Sequence, residues 1–191
     1  MKKRIVLTGG PSGGKTTALS IIKESFGHDV ELVKEAATLI YSGGYPRKDG
    51  SAQHTYHGQR IIYYVSKELE ELADESSQAP IVVCDRGTLD GAVYWPYGQE
   101  DFLKNMGTTK EAEFARYDMI IHLSPPMDES FYQATAVRTE TLEGALQIDQ
   151  KILDIWAGHP NRLVIDKHAT YFDKAKIIKE VIANILQEIK K

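Results

Sequence analysis

Nine residues near the N-terminus, Gly9-Gly10-Pro11-Ser12-Gly13-Gly14-Lys15-Thr16-Thr17, have the composition needed to hold a chain of phosphates. Gly9, four residues, then Gly14-Lys15-Thr16 fits G-x-x-x-x-G-K-[ST]. Glycines let backbone N–H groups turn inward around phosphate oxygens. A helix opening there adds positive potential. Lys15 is placed to reach the β- and γ-phosphates, and the Thr16 hydroxyl to hold Mg²⁺. A glycine-rich turn can match by chance, but this run follows an apolar strand pattern and opens a helical one, which is the context the chemistry requires. The whole run from Gly9 to Thr17 is therefore a candidate binding loop for a nucleoside triphosphate, ATP or GTP.

Such a loop binds a nucleotide without saying what becomes of it. The stretch IVVCDRGTLDG, Ile81 to Gly91, bears on that question. An ATPase motor ends its second acidic strand in Asp-Glu, where the Glu activates water. Here Asp85 is followed by Arg86. A small GTPase carries Asn-Lys-x-Asp, and the nearest segment, Ile165 to His168, lacks it. An acid beside an arginine suits phosphoryl transfer to an organic acceptor. Asp85 can position Mg²⁺ or accept a hydroxyl proton, and the Arg86 guanidinium can hold phosphate oxygens. The ordinary alternative is an ion pair at a strand end. Glu35, in ELVKEAA, ends the second strand pattern and joins Lys15 and Asp85 at the carboxyl ends of strands, or else serves as a charge at a helix start. Arg138, in YQATAVRTETLEGAL, precedes a helix on a polar segment, where it can close over the phosphates or stay a solvated surface group.

These residues need a scaffold of strands ending on one edge. Short β-branched runs recur as RIVLTG, DVELVK, PIVVCD, DMIIHLS and RLVIDK. They read as strands of a parallel sheet covered on both faces. Helical patterns alternate with them. Ile62, Val65, Leu69 and Leu72 form one stripe. Leu142, Ala145, Leu146, Asp149, Ile152, Leu153 and Trp156 form another, and Ile178, Val181, Ile182, Ile185 and Ile189 a third. The alternation predicts a three-layer α/β fold.

A chain of 191 residues supports one sizeable core, and no linker divides it, so residues 1–191 are read as a single domain. A net charge of −4 without a basic block disfavours broad nucleic-acid binding. No apolar run is long enough to span a bilayer. The lone cysteine, Cys84, excludes an internal disulfide, reads as a buried strand residue, and fits a cytoplasmic protein.

Taken together and in order, GGPSGGKTT, VKEAA, DRGTLDGAVYWP and VRTETLEGAL resemble the NadR-like P-loop kinases, an AAA-type group named after the nicotinamide riboside kinase domain of NadR. The likeness runs from Lys3 to about Asp166. The resemblance implies five parallel strands with the P-loop strand central, ATP–Mg²⁺ binding, and transfer to a nucleoside 5′-hydroxyl. It also places Glu35 where the more distant deoxynucleoside kinases carry a catalytic base, and Asp85-Arg86 where they carry an acid–arginine pair.

Tyr41 to Gln59 is rich in glycine, aromatic and polar residues and is expected to cover the acceptor crevice as a loop or flap. A second flap is expected near 125–140. His54, His57 and Gln59 are candidates for substrate contact, against the alternative of solvated side chains. Tyr94-Trp95-Pro96-Tyr97 either stacks on a base or, more in keeping with its composition, packs beneath the flap. Asp90 either holds a ribose hydroxyl or caps a helix. The reading is a kinase that transfers the γ-phosphoryl group of ATP to a small hydroxyl or phosphate acceptor, with a nucleoside as the first choice. The alternative is a slow nucleotide-dependent switch acting through a protein partner.

Overall fold

The computed structural model describes residues 2–46, 50–126 and 142–191. The five β-branched runs form β1 (Lys3–Thr8), β2 (Val30–Val33), β3 (Ile81–Asp85), β4 (Met119–Leu123) and β5 (Arg162–Ile165). They pair in parallel in the order β2-β3-β1-β4-β5, with β1 at the centre. Successive side chains on a strand point to opposite faces, and both faces here are covered. Ile5, Leu7, Val83, Ile121 and Leu123 face α1 (Lys15–Phe26) and α7 (Tyr171–Ile189). Val6, Val82, Cys84 and Ile120 face α3 (Ala52–Ser76), α4 (Gln99–Met106) and α6 (Leu142–Ile155). Each fully buried side chain of this kind contributes about 1.5–3 kcal/mol. The remaining elements of the described residues are a 3₁₀ turn at Gly27–Asp29, α2 (Ala36–Ser42), a second 3₁₀ turn at Thr88–Val93, and α5 (Lys110–Phe114).

The register brings the functional ends level. Leu7 of β1 pairs with Asp85 of β3, and Thr8 pairs with His122 of β4. The phosphate loop and the Asp85-Arg86 corner therefore leave one edge of the sheet, where ligands of open α/β sheets collect.

Two expectations are corrected. The span from Tyr41 to Gln59 is not one loop, because α2 runs to Ser42 and α3 starts at Ala52. Ser51 caps α3 by accepting from the His54 N–H, so His54, His57 and Gln59 lie on its opening turns. Leu72 was expected on the core stripe of α3 and is instead 59% exposed. The core face there carries Tyr63, Glu70 and Ala73. Glu70 is buried because Arg4 and Arg116 pair with it and the Tyr117 hydroxyl donates to it at 2.8 Å. The second expected flap, with Arg138, lies almost wholly outside the described residues.

Candidate active site

The phosphate loop is pressed against the end of β4. A Cβ added at Gly9 would lie 2.1 Å from the Leu123 carbonyl oxygen, and one at Gly13 would lie 2.3 Å from it. Gly9 and Gly14 also take φ of 128° and 94°, which L side chains rarely adopt. α1 opens directly at Lys15, with no side-chain cap on its first N–H groups. Those groups are available to an anion. A cradle of about 130 Å³ is lined by Ser12 to Thr17 and by Tyr171. The Lys15 Nζ donates to the Gly9 and Gly10 carbonyls, each at 2.8 Å. Lys15 is half-buried as a residue, but its head group is tucked under the loop. Burial, and then the Arg86 charge, push it down to about 7 against the pull of Asp85, Asp90 and Glu35. A bound phosphate would restore its charge by replacing two neutral carbonyls with an anion.

Beside the cradle, β3 ends in a strained corner. Arg86 has φ 75°, uncommon for a residue with a side chain. Such strain costs about 1–3 kcal/mol and persists where the surroundings enforce it. The Arg86 Nε donates to Glu35 Oε1 at 2.6 Å, and Nη1 donates to Asp90 Oδ2 at 3.2 Å and to the Gly9 carbonyl at 3.4 Å. Asp90 is buried, and accepts from the Thr8 hydroxyl at 2.5 Å and from the Trp156 indole at 2.7 Å. It does not cap a helix; it anchors Arg86 at the charged end of the cleft. Burial works against the Arg86 charge, but Tyr94, Asp90 and Glu35 more than restore it. Glu35 is raised by burial, yet the Arg86 guanidinium and the Thr38 hydroxyl hold it below the usual carboxylate range. Asp85 behaves oppositely: burial, then the Glu35 charge, push it up to about 6, with Lys15 and Arg86 opposing.

A cleft of about 470 Å³ opens from this corner. Glu35, Asp85, Arg86 and Asp90 form its charged end, and Tyr41, His54, Gln59, Tyr63, Thr88 and Tyr94 line the remainder. Buried Glu113 braces its back wall, accepting from the hydroxyls of Tyr63 at 2.6 Å, Thr108 at 2.7 Å and Thr88. His57 is exposed against the Tyr56 ring and does not line the cleft. Trp95 packs between Tyr56 and Phe102, as its composition suggested. Burial pushes the Cys84 thiol well up, in keeping with an inert strand residue.

With this geometry in view, the family can be stated. A family model described as an AAA domain matches residues 4–174. The chain belongs to this AAA domain family. No curated protein matches it by sequence. Among solved structures, the chain is similar to deoxyadenosine kinase from M. mycoides with the products dCMP and dCDP bound. The TM-score is 0.63 and the identity 13%, covering 95% of this chain and 99% of that one. The same enzyme with bound dATP gives a TM-score of 0.64 at 12% identity, covering 94% and 99%. Thymidylate kinase from Candida albicans gives a TM-score of 0.65 at 17% identity, covering 96% and 92%. At these identities the likeness shows a shared fold, a five-stranded parallel P-loop sheet with helices on both faces.

For an AAA-domain P-loop, Mg²⁺ is the implied ion. The Thr16 hydroxyl and Asp85 carboxylate line one groove and are hard oxygen donors. That set fits an ion which takes one or two protein groups and completes its shell with phosphates and water. Among the described residues there is no cluster of three or more His, Cys, Asp or Glu that would hold a metal without a nucleotide. None of their helices is long and apolar enough to cross a membrane.

The raised titration of Asp85 gives a measurable expectation. Its folded-state value lies above the ordinary one, so its contribution to stability is full below about pH 4 and is lost as pH rises through about 6. Glu35→Gln removes the largest charge that raises it. The Asp85 carboxyl should then titrate below about 6 when followed by carbon-13 NMR. A midpoint unmoved by Glu35→Gln would contradict the coupling.

Sequence reading missed several groups that touch the site. Asp149 accepts from the Gly10 N–H at 2.7 Å, and buried Lys174 donates to the Gly13 carbonyl at 3.3 Å. The available signal was a charged residue at a position of the apolar stripes of α6 and α7.

Proposed function

We propose that this chain is a kinase which transfers the γ-phosphoryl group of ATP, or of GTP, to a hydroxyl of a neutral, nucleoside-like acceptor. The observation that carries this reading is the charge of the cleft beside the phosphate loop. Its described lining holds three carboxylates, Glu35, Asp85 and Asp90, against one arginine, Arg86, already bonded by two of them. A monophosphate acceptor would add negative charge to that end and would need an uncommitted cation. A nucleoside hydroxyl needs a carboxylate nearby. Deoxyadenosine kinase, which shares the fold, and the NadR-like pattern of the sequence support the same class, whereas thymidylate kinase, with the same fold, is named for a monophosphate. Cytoplasmic placement fits a single buried thiol.

The division of labour follows from the environments. Glu35 is held ionised by Arg86 and faces the cleft. It accepts the proton as the acceptor oxygen bonds to the γ-phosphorus. The bond from that phosphorus to the bridging oxygen breaks, the nucleoside diphosphate leaves, and Glu35 returns its proton to solvent. Lys15 and the N–H groups of the loop hold the phosphates while charge redistributes. Thr16 and Asp85 would hold Mg²⁺, which when bound neutralises phosphate charge. Arg138 is assigned to the transferring group as a further cation.

Incubation with ATP–Mg²⁺ and matched pairs of nucleosides and their 5′-monophosphates tests this, with products read by mass spectrometry. A nucleoside is expected to gain one phosphate. Phosphorylation of monophosphates alone would overturn the choice of a neutral acceptor.

A further inference from the structure

Beneath the phosphate loop lie two opposite charges that the proposed chemistry leaves unused. Asp149 enters from α6 and is 5% exposed. Its Oδ1 accepts from the Gly10 N–H at 2.7 Å and meets His122 Nε2 at 2.8 Å. His122 projects from β4 opposite Thr8 and is 1% exposed. Its Nδ1 is a buried atom with no hydrogen-bond partner among the described residues. Fixing His122 to Asp149 thus leaves the other ring nitrogen unsatisfied, a cost the fold accepts. Lys174 enters from the first turn of α7 and is 2% exposed. Its Nζ donates to the carbonyls of Gly13, at 3.3 Å, and of Ser124. One turn of helix away, the Tyr171 hydroxyl donates to the Ser12 carbonyl at 3.3 Å.

Packing alone does not account for these groups. A buried lysine is pushed down by burial, with Asp149 and Asp166 opposing, and so carries a desolvation cost. A hydrophobic residue of similar volume would avoid that cost. What the two charges share is the loop backbone. Among the described residues no peptide is cis. In a trans peptide the carbonyl and the next N–H point in opposite directions. Holding the Gly13 carbonyl on Lys174 therefore fixes where the Gly14 N–H points. Asp149 fixes the loop at Gly10, where α6 packs so closely that an added Cβ would lie 2.8 Å from the Asp149 Cβ.

We infer that Asp149 and Lys174 are positioning residues for phosphate binding, one clamping the Gly10 N–H and the other the Gly13 carbonyl, so that the loop is set before nucleotide arrives. The inference rests on reading Gly9 to Thr17 as a phosphate site and not on the identity of the acceptor. Preorganised donors lower the cost of binding, so their loss should appear as weaker affinity for the phosphate chain.

The test measures binding of ATP–Mg²⁺ and of inorganic tripolyphosphate by calorimetry, together with the thermal midpoint, in the full chain. Lys174→Met should keep or raise the midpoint while affinity for both probes falls by about tenfold or more. Asp149→Val should weaken both probes similarly. Asp149→Asn retains an oxygen for the Gly10 N–H and should stay within about threefold of the parent. If Lys174→Met does not fold, the Asp149→Val and Asp149→Asn pair decides the matter. Parental affinity in folded Lys174→Met and Asp149→Val would overturn the inference. So would affinity and midpoint falling together with Asn no better than Val, the pattern of a merely structural role. Since acceptor phosphorylation is not measured, failure of the kinase reading would leave these outcomes distinct.

Discussion

Lys15→Ala is expected to give a folded protein whose turnover is lower by about three orders of magnitude. Its Nζ is the cationic head group bonded directly to the phosphate loop's own Gly9 and Gly10 carbonyls. In the bound state the same group would face the β- and γ-phosphates, where charge shifts during transfer. Removing it deletes an interaction that strengthens towards the transition state, so the rate constant should fall along with affinity. The fold should tolerate the change. Burial already works against the ammonium, so its removal relieves a desolvation cost. Turnover at saturating ATP, with thermal melting alongside, checks both halves. Turnover within tenfold of the parent would contradict the role assigned to Lys15.

Arg86→Met is expected to damage both stability and activity. Arg86 is the cation shared by Glu35 and Asp90. Without it, Asp90 keeps its Thr8 and Trp156 donors but loses its counter-charge in a buried position. Breaking a buried pair by removing one partner costs about 3–5 kcal/mol. Glu35 would lose both the charge that holds it down and the hydrogen bond that aims it. Denaturant unfolding should therefore show a lower midpoint, and turnover should fall by at least about a hundredfold, the contribution expected of a positioned base. A double variant with Asp90→Asn should recover part of the stability, because the orphaned charge is gone. Additive losses would show that the Arg86–Asp90 pair is not the source of the effect. Arg86→Lys should not rescue activity, since a single ammonium cannot reproduce the two-ended bond to Glu35 and Asp90.

The fold was legible because its signals are local. Each strand pattern is a short β-branched run with turn residues beside it, and each became a strand of one parallel sheet. The phosphate loop was legible for the same reason, its glycines and Lys15 being adjacent in sequence. Glu35 and Asp85 were predicted to converge on Lys15, and the parallel register brings them there. What escaped notice depends on contacts distant in sequence. Asp90 is joined to Trp156 across 66 positions and to Thr8 across 82, so its place as the anchor of Arg86 had no local signal. Asp149 and Lys174 reach the loop from α6 and α7, over 139 and 161 positions. The start of α3 was hidden because the glycine-rich composition before it masked the Ser51 cap. Glu70 on a core face was unreadable without its partners Arg4 and Arg116.

The central claim is that the cleft beside the phosphate loop serves a small hydroxyl acceptor, so that water is a poor substitute for it. The most direct measurement is the rate of ATP–Mg²⁺ consumption by the purified protein, alone and across a panel of nucleosides, nucleotides and sugars. The account predicts slow hydrolysis alone and an increase of about a hundredfold or more with the right nucleoside, because bound acceptor displaces water and completes the site. Turnover that stays at the basal rate across the whole panel, in a protein that binds ATP and responds only to a protein partner, would contradict it and identify a nucleotide-dependent switch.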